Sequence, residues 1–195
     1  MGLFDRLLGA TGDRSGEATP SATRGDARAD ADAAGPRGPW RDGDGSPAAP
    51  AGVALFVDGP NVFREEFDVE FADLRAAAEG SAAGDAATGG TGLVTARVYL
   101  DEHATPGLIQ AAEANGFQVV TTSGDVDVKL AVDVASFAAE RRAATVAVAS
   151  RDTDFKPALE VANEYGLGTL AIAPGSHGRS DALRRSADDA VTLGE

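Results

Sequence analysis

The sequence contains no cysteine, which excludes disulfides and thiolate metal sites. His103 and His177 are its only histidines, so a zinc site would have to rely mostly on carboxylates. Lysine occurs only at Lys129 and Lys156, and arginine carries nearly all the positive charge. No apolar run reaches the 18 or more residues of a membrane span. The N-terminus lacks a secretory signal pattern. A soluble, cytoplasmic protein is the expectation. What is abundant is acid: a net charge of -14 and a pI near 4.4 over 195 residues. Such an acidic, lysine-poor composition suits concentrated (halophilic) salt, where self-repulsion is tolerated. Near 1 M salt the Debye length falls to about 3 Å, so net charge does not exclude a nucleic-acid partner. It does exclude affinity from a broad basic surface.

The length allows one globular domain plus tails. In residues 1–8, Leu3, Phe4, Leu7 and Leu8 share a helical face, as in a short docking segment. Residues 9–52 are rich in Gly, Ala, Pro, Asp and Arg and cannot bury enough apolar surface to order themselves. They read as a disordered linker in which Trp40 is the only aromatic. This N-terminal arm could carry partner contacts. Residues 53–195 read as a single α/β domain, with a Ser/Gly/Ala-rich flexible insertion at 80–92.

Val53–Val57 and Thr145–Ala149 are continuous apolar runs, typical of strands buried on both faces. Further strands are expected at Leu93–Leu100, Phe117–Thr121 and Thr169–Ala173, with helices between them. One helix should run from Pro60 to about Glu79, one from about Asp125 to Arg142, and a last one from Asp181 to Ala190. The alternation implies a parallel sheet of about five strands covered by helices on both faces.

Aspartates recur where strands stop. Asp58 closes the first run, with Asn61 just behind a Gly-Pro turn. Asp127 opens a helix, and Asp152 and Asp154 follow the fourth run. The carboxyl edge of an open parallel sheet is where ligands bind. Each aspartate alone could simply cap a helix. Together they suit an oxygen-coordinated divalent cation, Mg²⁺ or Mn²⁺, able to act on a phosphodiester. Asp125, Lys129 and Asp133, at i, i+4 spacing, read as a solvated charge ladder.

The segments Asp58-Gly-Pro-Asn61, Asp125-Val-Asp127-Val-Lys129-Leu-Ala-Val-Asp133 and Ser150-Arg-Asp152-Thr-Asp154-Phe155 resemble, in order, the three motifs of the NYN domain family, a branch of the PIN-like nucleases. Ser176–Leu183 resembles an archaeal-type subgroup. Many family members have glycine where Arg151 stands, and a lysine where Ser123 stands. The resemblance implies a PIN-like three-layer α/β/α fold with strand order 3-2-1-4-5. It also implies a Mg²⁺- or Mn²⁺-dependent endoribonuclease with Asp58, Asn61, Asp127, Asp152 and Asp154 as its catalytic set, the four aspartates being the metal ligands. Arg151, Lys156 and Arg179 are candidate contacts to the RNA backbone. The alternative is a catalytically silent RNA- or protein-binding regulatory module on the same fold. A Toprim domain would place glutamate at Asp58, and a haloacid-dehalogenase phosphatase needs Asp-x-Asp there. A receiver domain needs a lysine after the fifth strand, where Ala173-Pro174 stands.

Overall fold

The computed structural model describes residues 51–84, 92–175 and 181–194. The expected docking segment 1–8, the linker through residue 50 with Trp40, residues 85–91 of the expected insertion, and Arg179 lie outside the described residues.

Six strands form one sheet: β1 (Val53–Asp58), β2 (Leu93–Asp101), β3 (Gln118–Thr122), β4 (Thr145–Ala149), β5 (Gly168–Pro174) and β6 (Asp189–Leu193). Their spatial order is β3-β2-β1-β4-β5-β6, and every pairing is parallel. The expected order is thus present with one more strand at its edge. Among the described residues six helices accompany them: α1 (Gly59–Val62), α2 (Phe71–Gly84), α3 (Pro106–Ala114), α4 (Val126–Ala139), α5 (Lys156–Glu164) and α6 (Asp181–Ser186). A 3-10 turn, Thr153–Phe155, precedes α5. Among the described residues no helix is long and apolar enough to cross a membrane.

The pleat sorts the central strands into two cores. Ala54, Phe56, Val146 and Val148 pack with Leu130 and Val134 of α4, Leu159 of α5 and Leu183 of α6. Val53, Leu55, Val57, Ala147 and Ala149 pack on the other face with Phe71 and Leu74 of α2 and Ala112 of α3. That two-sided burial is why β1 and β4 are unbroken apolar runs. The chain builds β2 and β3 to one side of β1 and β4, β5 and β6 to the other, so the order reverses between β1 and β4. A crevice is expected outside their carboxyl ends.

Three expectations about helices are corrected. The helix after β1 is one turn, Gly59–Val62, and a new helix starts at Phe71. Glu70 donates its N–H to Asp73, which fixes that second start. Phe63 then packs on Phe71 across the break at 4.4 Å between ring centroids. The 80–92 segment is not all loop, since α2 continues through Gly84. The last helix ends at Ser186, and Asp189 and Ala190 begin β6 instead.

Candidate functional site

Asp58 is the last residue of β1 and is completely buried. The chain turns at once into α1, and this turn demands glycine. A Cβ on Gly59 would lie 2.7 Å from the Tyr99 carbonyl oxygen. Pro60 then occupies the first turn of α1, where its missing N–H costs nothing. The result delivers Asn61 back onto Asp58. Its Nδ2 donates to Asp58 Oδ2 at 2.7 Å. The Asn61 Oδ1 in turn accepts from Arg64 Nη2 at 2.7 Å, which settles the orientation of the amide. Arg64 Nε also donates to the Pro60 carbonyl at 3.2 Å.

From β4, the fully buried Ser150 completes the cradle. Its hydroxyl donates to Asp58 Oδ2 at 2.6 Å and accepts the Asp152 N–H at 3.0 Å. One hydroxyl therefore ties the mouths of β1 and β4 together. Neither Ser150 nor Arg64 was singled out in the sequence. The signal for Ser150 was available: a hydroxyl continuing a buried apolar strand needs a polar partner.

Both donors reach Oδ2. Asp58 Oδ1 is buried and has no hydrogen-bond partner. Burial pushes the Asp58 carboxyl above its usual range, the bonds from Ser150 and Asn61 pull it down, and the charge of Asp152 raises it again. Asp127, in the first turn of α4, is pushed up to about 6, first by burial and then by the charges of Asp58, Asp152, Asp125 and Asp154, in that order.

Capping, the alternative for each acid of the set, holds for Asp152, and Asp125, expected in the charge ladder, proves to be a cap as well. Asp125 caps α4, accepting the Asp127 N–H at 3.1 Å, and Asp152 caps the 3-10 turn, accepting the Asp154 N–H at 3.0 Å. Each cap uses one carboxylate oxygen and is of a kind that contributes about 1 kcal/mol. Among the described residues no three acidic or histidine side chains are gathered closely enough to hold an ion as they stand.

The basic candidates separate. Arg151 lies with its Cζ 4.7 Å from the centroid of the Phe67 ring, over its face. Lys156 is exposed and pairs along α5 with Glu160 at 3.5 Å, as ordinary surface charge. The expected ladder at Asp125, Lys129 and Asp133 is corrected. Asp133 does pair with Lys129, but it also accepts from the buried Tyr99 hydroxyl at 2.8 Å and from Arg97 at 3.5 Å. Its side chain is only 15 % exposed, so it is a lock between α4 and β2.

Residues 52–194 match the NYN domain family. The chain belongs to that family. An uncharacterized protein of Methanocaldococcus jannaschii is 36 % identical over 143 residues, covering 73 % of this chain and 55 % of the relative. The chain thus spans about half the length of that relative. In fold, the NYN domain is similar to a protein of unknown function from Vibrio parahaemolyticus, with a TM-score of 0.56, 19 % identity, and coverage of 76 % of this chain and 96 % of that one. The NYN domain therefore carries a nuclease-like fold, and its acidic rim lies where such a sheet places a ligand.

Proposed function

We propose that this NYN domain is an endoribonuclease that hydrolyses RNA phosphodiesters with Mg²⁺ or Mn²⁺ held by Asp58, Asp127, Asp152 and Asp154. The observation behind it is the buried, unpartnered Oδ1 of Asp58. An orphaned carboxylate oxygen inside a protein is costly. Here the charges of Asp152 and Asp127 are felt nearby, with no arginine or lysine hydrogen-bonded to it. Oxygen donors alone, without cysteine or histidine, suit a hard divalent cation. When bound, such an ion supplies charge neutralisation at the phosphodiester and acidifies an attacking water.

The chain's own residues prepare the place. Ser150 and Asn61 hold Asp58 by one oxygen and leave the other available. Arg64 fixes the Asn61 amide with its nitrogen toward Asp58. Asp152 caps with one oxygen only, so its second oxygen stays available, and Asp154 follows on the same turn. Asp127 stands in the first turn of α4, within reach of the charges of Asp58 and Asp152.

The test is cleavage of a circular single-stranded RNA in Mn²⁺. Wild type should open the circle, and Asp152→Asn should lose about 10³-fold in rate, the scale of several kcal/mol of charge stabilisation. Equal rates for the two proteins would overturn the assignment. A second reading, a silent RNA- or protein-binding module, draws on the cap that Asp152 makes and on the ungathered acids. It predicts metal binding by titration calorimetry with every circle left intact.

A further inference from the structure

We infer that Arg151, propped on Phe67, is the phosphate-binding residue that positions single-stranded RNA at the acidic rim. This rests on the ribonuclease reading, which it extends from the reaction to the grip on the substrate.

Arg151 stands between Ser150, which holds Asp58, and Asp152, which caps the next turn. With acids so near, a free guanidinium would be expected to fold onto one of them. It does not: among the described residues its one interaction is the cation–π contact with Phe67. Phe67 is placed by the loop that breaks the expected long helix. It turns back on Arg64, to whose carbonyl its N–H donates at 3.0 Å. Beyond β5, its ring lies so close to Gly175 that a Cβ there would be 3.0 Å away. Gly175 has φ +72 and its N–H bonds the Leu193 carbonyl at 2.7 Å, so the ring rests on fixed backbone. Farther along the loop, the Asp68 carbonyl reaches the end of β6, 3.1 Å from where a Gly194 Cβ would stand.

The stack has two effects. It keeps the cation off the carboxylates, which leaves them open to a metal. It also holds the guanidinium over the ring without using its N–H donors in any hydrogen bond among the described residues, so they remain for a planar, bidentate acceptor such as a phosphate. In a chain of net charge -14, no broad basic surface contributes affinity, and one positioned cation is a large part of what the backbone can feel.

The test is binding of a short fluorescein-labelled single-stranded RNA, followed by anisotropy in EDTA over a series of salt concentrations. EDTA keeps the measurement independent of cleavage. Arg151→Ala should weaken binding about tenfold at low salt and flatten the log–log salt slope by about 0.7, one single-strand phosphate contact. Arg151→Lys should keep the slope and lose several-fold in affinity, because charge survives and the fork does not. Phe67→Leu should likewise keep the slope and lose about threefold, the scale of an exposed cation–π contact. Matching melting curves for the variants exclude unfolding as the cause. An Arg151→Ala protein with wild-type affinity and slope would overturn the inference, as would a wild type that binds no RNA in EDTA. If Arg151 governs binding while wild type leaves RNA uncut in Mn²⁺, the ribonuclease reading fails and the phosphate-binding role stands.

Discussion

Two aspartates of this domain are shielded from water and treated in opposite ways. Asp133 is surrounded by donors: Tyr99 and Arg97 reach one oxygen and Lys129 the other. Asp58 is more deeply buried, yet two neutral donors crowd onto one oxygen and the other has none. A carboxylate that serves the fold is paired with cations, since an unpaired buried charge is expensive. The contrast supports the proposed reading of Asp58 as the acid that awaits a partner, while Asp133 is already complete.

Exchanging charge for amide at each position sharpens that contrast. Asp133→Asn removes the anion from between Arg97 and Lys129. It should cost about 2 kcal/mol, or roughly 4–8 °C in thermal midpoint, by the usual strength of hydrogen bonds to charged groups. Asp58→Asn should move the other way in EDTA, raising the midpoint by a few degrees, about 1 kcal/mol, because it removes a strained ion. The same substitution should abolish the stabilisation that saturating Mn²⁺ gives the wild type. If both variants lose stability alike in EDTA, the distinction between the two acids collapses.

The smallest effect is a dependence on pH. The Asp127 carboxyl lies higher in the folded chain, at about 6, than its ordinary 3.8. Folding therefore favours its protonated form. The resulting stabilisation is full below about pH 4 and is lost as pH rises through about 6. Without metal, Asp127→Asn should match wild type at pH 4 and become the more stable of the two above pH 6, by a margin that solvent screening keeps modest. Added Mg²⁺ should reverse the order at pH 7, because the ion needs the ionised carboxylate. Melting curves across this range check both signs.

Much of this was legible in the sequence, for identifiable reasons. Strands buried on both faces are continuous apolar runs, so β1 and β4 and the acids at their ends stood out, and β4 has the expected bounds. The break at 63–70 was hidden. Phe63 and Phe67 fit a helical face, and no glycine or proline marks the stop. Their actual roles, against Phe71 and beneath Arg151, depend on residues far along the chain or across the loop. Asp133 looked solvated because i, i+4 spacing shows its neighbours on α4 but not the Tyr99 hydroxyl arriving from β2. The β6 edge was obscured by an Asp-Asp-Ala stretch that continues a helical pattern as easily as it opens a strand.

The serine that joins β1 to β4 has a further implication. Its hydroxyl hydrogen points to Asp58 Oδ2, and the Asn61 amide fills the same oxygen. A hydrogen ion taken up by Asp58 is thereby steered to Oδ1, the atom on which a divalent ion would settle. On the proposed reading, acidification and metal loading would be rivals for that single atom, and the bridge that shapes the cradle would make their occupancy mutually exclusive.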